Sequence, residues 1–301
     1  MLHHFHGAGH AKGQGAISAD EFAAMLDHVG VGRILPAKEW MERALAGRLG
    51  DDDLCITFDD ALACQYEVAV PVLRRLGLTA FWFVYSSVFE GNIELLEIYR
   101  HFRTTAFGSV EDFYAEFFAA VEAAHATEYD ELRRRVDFST HLAEFPFYTY
   151  EDRVFRYLRD EMLGPARYHA VMAAMMRARD FDPASAAGQL WMTDDHLLGL
   201  DGAGHVIGLH SYSHPTQLRA LPPEDQRDEY RRNARHLERV LGRAPRCMSH
   251  PCNSYGAETL GILRDMGIAL GFRANMAPVS GRSELEHPRE DHANLMKEMA
   301  A

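Results

Sequence analysis

The sequence has no long apolar run and no recognisable export segment. None of its stretches reaches the roughly 18 consecutive apolar residues of a membrane-spanning helix, so we predict no membrane span. Residues 1–10, MLHHFHGAGH, contain neither the basic segment nor the apolar core of a secretory signal. We therefore expect a cytoplasmic protein.

Cysteine and positive charge are both scarce. The four cysteines, Cys55, Cys64, Cys247 and Cys252, form no Cys-x-x-Cys pair, which favours free thiols in a reducing compartment. The 31 Lys and Arg residues are outnumbered by 44 Asp and Glu residues, and the net charge of −13 argues against nucleic acid as a partner. Histidine, by contrast, is abundant, with 17 residues. The question for function is which of these histidines converge.

The length of 301 residues and the hydrophobic content of 47% allow a full core, in one barrel-type domain or in two ordinary domains. Strand and helix patterns alternate over residues 54–85 and 194–272, which is typical of a parallel α/β fold. Residues 93–188 interrupt this alternation with helical segments. We predict a single domain over residues 1–301 with residues 93–188 as a helical insertion: a lid, a substrate platform or a dimerisation surface. The oligomeric state stays open. Four aromatic residues of the insertion are expected to pack within it: Phe145, Phe147, Tyr148 and Tyr150.

The stretch Leu54–Asp60, LCITFDD, is a short apolar strand that ends in two carboxylates. Carboxylates at the C-terminal end of a buried parallel strand lie where α/β folds place their chemistry. The alternative is a structural one, because Asp is also favoured in turns and at helix N-caps. We interpret Asp59 and Asp60 as site residues because of a second pattern about 150 residues further along the chain.

That second pattern is the pair His210 and His214, which follows a predicted strand. On one helical turn this spacing places both imidazoles on the same side, about 6 Å apart at Cβ, where they can bind one metal ion. Alone, the pair can equally be two solvated or capping histidines. With Asp59 and Asp60 it supplies two imidazoles, one carboxylate ligand and one spare carboxylate. A metal hydrolase needs such a set: three ligands, an open position and a separate base.

The segments Thr57–Asp60 (TFDD) and His210–His214 (HSYSH), the latter preceded by Gly204–Gly208 (GHVIG), resemble the first two motifs of the polysaccharide deacetylases, carbohydrate esterase family four. The resemblance extends from the N-terminal strand to about Phe272, without the insertion. It implies an α/β fold that is a distorted (β/α) barrel, for which we predict about seven strands. It also implies metal-dependent hydrolysis of an N-acyl or O-acyl group on a sugar.

The resemblance assigns roles to these residues. Asp60, His210 and His214 are expected to hold a divalent metal, zinc first, with cobalt, nickel or manganese as alternatives. Asp59 is expected to be the general base that takes a proton from water.

The third motif of the family, Arg-x-Pro-aromatic, is altered in this chain. The corresponding residues 249–253, SHPCN, keep the proline but have serine in place of the arginine. The Cys252 backbone N–H can still face an oxyanion. The base needs another cationic neighbour, and Arg273 and Arg289 are the candidates, while His250 either shares that role or is an ordinary loop histidine. The predicted substrate-binding residues are Pro251, Cys252, Asn253 and Arg273.

The last motif of the family is Leu-x-His, whose histidine is the general acid. Leu285–His287 matches it literally in polar surroundings, and Pro288–His292 offers Asp291 to orient a histidine. We favour His292 over His287 as the acid. A solvated chain end is the alternative for both.

These inferences predict a metal-dependent carbohydrate deacetylase, a hydrolase of C–N bonds other than peptide bonds. The expected substrate is a small or carrier-linked acylated sugar used to build a surface polysaccharide. One alternative is an altered family member that binds metal and sugar without hydrolysis, suggested by the missing arginine. Another is a hydrolase of a different amide, such as a formamide or a cyclic amide.

Overall fold

Five parallel strands form the centre of the fold. The structure is a computed structural model that describes residues 1–142, 148–281 and 283–301. The strands are β1 (Thr57–Asp59), β2 (Phe81–Val84), β3 (Val206–Leu209), β4 (Cys247–Ser249) and β5 (Leu270–Phe272). They hydrogen-bond in chain order, and each pairing is parallel. The predicted parallel α/β organisation is confirmed.

Helices connect these strands, as parallel pairing requires. The α-helices are α1 (Ala19–Val29), α2 (Ala37–Leu45), α3 (Val70–Leu76), α4 (Leu95–Thr105), α5 (Val110–Arg135), α6 (Tyr150–Tyr157), α7 (Gly164–Ala178), α8 (Pro183–Leu190), α9 (Asp194–Gly202), α10 (Pro223–Leu241), α11 (Ala257–Asp265) and α12 (His292–Met299). Short 3₁₀ turns lie at Val31–Arg33, Ser87–Glu90, Leu218–Ala220 and Pro251–Asn253, and π-helical segments at Gln65–Ala69 and Leu158–Leu163. Within the described ranges, no helix has both the length and the apolar character needed to cross a membrane.

The described chain divides into two compact units. The first comprises Met1–Glu94 and Ala187–Ala301, and the second comprises Leu95–Ala186. The second unit lies within the segment that we predict to be a helical insertion. Phe145 and Phe147 of the predicted aromatic packing lie outside the described residues.

The strand sheet of the first unit continues at both edges through single bridges. Leu2 pairs in parallel with Phe58 of β1, and His287 pairs in parallel with Phe272 of β5. Gly271 permits the second pairing, because a Cβ at that position would meet the Leu285 carbonyl oxygen at 2.5 Å. Only a residue without a side chain lets the backbones approach so closely.

Backbone hydrogen bonds then join the two edges to each other. The Met1 amine donates to the Glu290 carbonyl at 2.7 Å, and the His292 N–H donates to the Met1 carbonyl at 3.1 Å. The sheet thus closes into a ring of five strands and two edge segments. The prediction of about seven strands is not confirmed, because the edge segments form isolated bridges and not continuous ladders.

The core of the first unit packs α2 against the sheet. Ala37, Trp40 and Ala44 lie on one face of α2 and contact buried residues of three strands. The Trp40 ring lies 5.8 Å from the Phe81 ring and 5.4 Å from the Phe272 ring, measured between centroids. Strands β1, β2, β4 and β5 are buried at every residue, as expected for parallel strands that are covered on both faces.

Two helices have ends that local residues explain. Helix α1 begins after Ser18, whose hydroxyl accepts from the Glu21 N–H while the Glu21 carboxylate accepts from the Ser18 N–H, a capping box. Helix α10 ends at Gly242, which has φ +69°. Helix α10 matters for function because it contacts strand β3 and helices α9 and α11.

The second unit is helical and has its own aromatic core. Phe113, Phe117 and Phe155 are buried together, with ring centroids 5.0–5.9 Å apart. The Tyr114 hydroxyl donates to the buried Asp152 carboxylate at 2.5 Å, which links α5 to α6. The 26-residue helix α5 has a break at His125, where φ is −141°.

Candidate metal centre and active site

The two carboxylates lie at the end of β1, as predicted. Asp59 is the last residue of the strand, and the next two residues have left-handed backbone, with φ +79° at Asp60 and +53° at Ala61. Such φ values cost about 1–3 kcal/mol for residues other than glycine, and they cluster at functional sites. This turn keeps both carboxylates inside the fold, with Asp59 only 2% and Asp60 only 7% exposed.

Asp60, His210 and His214 converge on one point. Asp60 Oδ1 lies 3.4 Å from His210 Nε2 and 3.5 Å from His214 Nε2. One potential ligand atom from each residue lies within 4.8 Å of the others. These separations suit a metal ion bound at about 2.0–2.2 Å from each donor.

An orphaned oxygen supports this fit. Asp60 Oδ1 is buried without a hydrogen-bond partner among the described residues. Leaving a buried acceptor unsatisfied costs about 1–3 kcal/mol, so natural proteins rarely keep one without a reason. The two imidazole nitrogens and this oxygen form a donor set typical of a zinc site with an open position.

The histidine pair does not lie on a helical turn, which corrects the predicted geometry. Residues 210–214 form a loop after β3, in which Ser211 has φ +64° and His214 has φ +56°. The loop still brings the two imidazole centroids to 5.0 Å. His210 Nδ1 lies 2.9 Å from the Ser249 carbonyl and donates to it, which leaves Nε2 as the ring atom that faces Asp60.

The surroundings keep both carboxylates ionised. Burial by itself raises the pKa of Asp60, but the imidazoles of His214, His210 and His3 outweigh burial and lower that pKa well below its usual range. Burial likewise raises the pKa of Asp59, and Arg289 together with His210 lowers it well below the usual range.

Arg289 holds Asp59 through a bidentate ion pair. Nη1 donates to Oδ1 and Nη2 donates to Oδ2, each at 2.7 Å, and both side chains are only 3% exposed. The Ser249 hydroxyl accepts from Arg289 Nη2 at 2.6 Å and donates to Asp59 Oδ2 at 3.2 Å. Ser249, which stands where the third motif of the family has arginine, therefore contacts Arg289, which belongs to a later segment of the chain.

Arg273, the other predicted partner of the base, points elsewhere. Its Nε donates to the Glu286 carbonyl at 2.8 Å, and its Nη1 donates to Asn275 Oδ1 at 3.0 Å and to the Ala277 carbonyl. Its own carbonyl accepts from Arg289 Nε at 2.6 Å. Of the two candidates, Arg289 pairs with Asp59, while the Arg273 carbonyl accepts a hydrogen bond from Arg289.

His3 also lies at the site, although no motif in the sequence assigns it a role. Its Nε2 is 3.8 Å from Asp59 Oδ2 and 4.0 Å from Asp60 Oδ2. Gln65 Nε2 donates both to the His3 carbonyl at 2.8 Å and to the Asp59 carbonyl at 2.6 Å, tying the two segments together. Burial lowers the pKa of His3, against the opposing effect of the two carboxylates. The sequence feature that could have indicated His3 is its position on the N-terminal segment, which pairs in parallel with β1.

The structure does not bring His292 to the carboxylates. His292 Nε2 lies 2.9 Å from the Gly15 carbonyl, and Nδ1 lies 3.3 Å from Asp291 Oδ1. His287 faces Glu284, with 3.1 Å between Nε2 and Oε2. No contact found among the described residues joins His292 to Asp59.

The other third-motif residues form a tight turn near the end of β4. Pro251–Asn253 is a 3₁₀ turn in which Cys252 has φ +49° and Asn253 has φ +55°. Asn253 Oδ1 accepts from the Ala274 N–H at 3.0 Å. His250 is fully buried, with Nε2 2.9 Å from the Leu285 carbonyl, and burial lowers its pKa to about 3. His250 is thus a neutral structural histidine, and the oxyanion role of the Cys252 N–H stays a prediction.

Comparisons with known proteins agree with this site. Residues 185–271, which contain both histidines, match the family model of the polysaccharide deacetylases. A search of curated proteins finds no match.

Solved deacetylase structures share the fold over most of the chain. The deacetylase PplD from Streptococcus pyogenes, in complex with acetate, is 16% identical with a TM-score of 0.56, covering 96% of this chain and 88% of its own. IcaB from Ammonifex degensii is 16% identical with a TM-score of 0.56, covering 99% and 93%. A de-N-acetylase from Aggregatibacter actinomycetemcomitans is 11% identical with a TM-score of 0.53, covering 96% and 91%.

At these identities the matched structures establish a shared fold. With the family match over residues 185–271, they show that the chain is similar to the polysaccharide deacetylases in its fold and in the segment that carries both histidines.

Proposed function

We propose that this chain is a metal-dependent hydrolase that removes an acetyl group from the nitrogen of an N-acetylated sugar. The observation that carries the proposal is the buried, unpartnered Asp60 Oδ1, which lies 3.4–3.5 Å from the Nε2 atoms of His210 and His214. The name of one matched structure, a de-N-acetylase, favours an amide over an ester as the scissile group.

Asp60, His210 and His214 would hold the divalent ion, with zinc as the first candidate and cobalt, nickel or manganese as alternatives. A bound ion at that point supplies Lewis acidity toward an acyl carbonyl and a water. The hydrogen bond from His210 Nδ1 to the Ser249 carbonyl orients one ligand ring and fixes its tautomer.

Asp59 is the proposed base. Its carboxylate lies 3.9 Å from His210 Nε2, close to the three proposed ligands, and forms an ion pair with Arg289. The guanidinium keeps Asp59 ionised, so at neutral pH the carboxylate has the unprotonated form that a general base requires. Arg289 therefore takes over the role of the arginine that the third motif lacks.

His3 is the proposed proton donor. Hydrolysis of an amide forms a bond from the water oxygen to the acyl carbon, breaks the C–N bond, and requires a proton on the leaving nitrogen. His3 is the third imidazole beside the two carboxylates, with Nε2 within 4.0 Å of both. We assign this step to His3 because His292 is hydrogen-bonded to the Gly15 carbonyl.

The experiment is an acetate-release assay on N-acetylated sugar oligomers with zinc-loaded protein. We expect release by the wild-type chain and none by Asp59→Asn, with equal zinc content in both. Glu238→Gln, an exposed change on α10, serves as the control. Stoichiometric zinc without release from any acyl donor would refute the hydrolase and favour the predicted metal- and sugar-binding alternative. Release from a formamide or a cyclic amide alone would favour a different amidase.

We also propose that the substrate is a small or carrier-linked N-acetylated sugar and not an intact polymer. A comparison of monomeric, lipid-linked and polymeric N-acetyl sugars in the same assay tests it. We expect faster release from the monomeric or linked sugars, and faster release from the intact polymer would overturn this choice of substrate.

A further inference from the structure

The loop His210–His214, which carries two of the three proposed ligands, packs against helix α10. Two residues of α10, Glu229 and Asn233, lie one helical turn apart and point at this loop. The Arg232 guanidinium of the same helix lies 3.5 Å above the Tyr212 ring. Three polar side chains of α10, Glu229, Arg232 and Asn233, thus contact the loop.

Glu229 satisfies three donors of the loop. Its Oε2 accepts from the Tyr212 N–H at 3.0 Å and from the Ser213 N–H at 2.8 Å, while Oε1 accepts from the Ser213 hydroxyl at 2.7 Å. An ionised carboxylate is an acceptor only, which suits a site with three donors and no acceptor. Hydrogen bonds to an ionised acceptor are also stronger than neutral ones.

Asn233 fixes the start of the loop. It is fully buried; Oδ1 accepts from the His210 N–H at 3.0 Å, and Nδ2 donates to the Val84 carbonyl at 2.9 Å. The amide side chain therefore bridges the end of β2 to the first proposed ligand of the loop. An amide side chain suits this position because its oxygen accepts from the His210 N–H and its NH₂ group donates to the Val84 carbonyl.

The loop needs such restraint because of its own backbone. Ser211 and His214 both have left-handed φ values, which residues other than glycine rarely adopt. One internal hydrogen bond, from the His214 N–H to Ser211 Oγ at 3.1 Å, supports this conformation. The contacts to α10 supply four more, none of which involves a metal or a substrate.

We propose that Glu229 and Asn233 are positioning residues that hold the His210–His214 loop in its ligand geometry before a metal ion arrives. This inference rests on the proposed metal-dependent function, although its first test does not use the metal. Partners that orient ligand side chains commonly affect metal affinity about 10- to 100-fold. We expect an effect of that size on zinc binding from the loss of Glu229.

The first test is amide hydrogen exchange of the metal-free protein, followed over residues 210–214. In Glu229→Ala the Tyr212 and Ser213 amides are expected to exchange faster than in the wild type. Glu229→Gln, which retains an acceptor oxygen for both N–H groups, is expected to restore slow exchange. Glu238→Gln, an exposed carboxylate on the same helix, should leave exchange unchanged. If Glu229→Ala fails to fold, Glu229→Met removes the acceptors while keeping the side-chain length.

The second test is zinc affinity by competition with a chromophoric chelator. We expect zinc binding about 10- to 100-fold weaker in Glu229→Ala, near wild-type binding in Glu229→Gln, and no change in Glu238→Gln. Unchanged loop exchange and unchanged affinity in a folded Glu229→Ala or Glu229→Met variant would overturn the inference while leaving the proposed function intact. A wild-type chain that binds no zinc would overturn the proposed function, whereas the exchange result still decides whether α10 restrains the loop.

Discussion

The ion pair between Arg289 and Asp59 gives the sharpest test of the site. Replacing Arg289 with Met removes two hydrogen bonds of 2.7 Å and leaves the Asp59 carboxylate buried without its cation. Breaking a buried ion pair from one side costs about 3–5 kcal/mol, a large part of the usual 5–15 kcal/mol of folding stability. We expect Arg289→Met to lose that amount in urea unfolding of the metal-free protein at pH 7.

The pH dependence follows from the lowered pKa of Asp59. A carboxyl group with a lowered pKa in the folded state contributes stability above its unfolded pKa, about 3.9, and loses it as the pH falls toward the folded value. In Arg289→Met we expect the pKa of Asp59 to rise. The variant should therefore lose less free energy of unfolding on acidification than the wild type. The stability difference between wild type and variant should therefore be largest near pH 7 and shrink below about pH 4.

Two further variants separate this effect from simple loss of packing. Arg289→Met combined with Asp59→Asn no longer buries an unpaired charge, and we expect it to recover most of the lost stability. Arg273→Met removes another buried arginine, whose side chain donates to backbone carbonyls and to Asn275 and not to Asp59. The loss of unfolding free energy in Arg273→Met should not vary with pH in the acid range. A stability loss in Arg289→Met that is independent of pH and unrelieved by Asp59→Asn would refute the reasoning.

Three other predictions concern the chemistry. His210→Ala and His214→Ala should each abolish stoichiometric zinc in atomic absorption measurements, and retention of zinc in both would contradict the proposed ligand set. Asp59→Asn should lower kcat for acetate release about 10²- to 10⁴-fold while zinc content is unchanged; a fall in zinc content would reassign Asp59 as a ligand. His3→Gln should lower kcat by a similar factor at constant zinc content. His292→Gln is the matched histidine control, and a larger loss of activity in this variant than in His3→Gln would return the acid role to His292.

The sequence was informative wherever chemistry depends on residues close together in the chain. The Asp59-Asp60 pair after an apolar strand and the His210–His214 spacing predict the ligand cluster that the structure brings within 4.8 Å. Helix ends such as the capping box at Ser18 and the glycine at Gly242 are also local, because hydrogen bonds over three or four residues decide them.

Long-range contacts were less predictable. The histidine loop follows no helical turn, because its conformation is supported by Glu229 and Asn233 on a helix that follows it in the chain. The edge segments of the ring contribute single bridges, so the prediction of about seven strands, which accompanied the family resemblance, is not confirmed. The segment after Pro288 looked suitable for a proton donor, yet His292 is held by the carbonyl of Gly15.

The sequence by itself therefore determined the parallel α/β class, the pair of carboxylates and the histidine pair, because each depends on periodicity or on spacing within a few residues. Only the tertiary structure decided that Arg289 and not Arg273 pairs with Asp59, and that His3 lies beside both carboxylates. These choices depend on closure of the sheet, which joins Met1 to Glu290 and His292 across almost the whole chain. No local pattern encodes that closure, because it arises from burial and hydrogen bonding between the first and last segments of the folded chain.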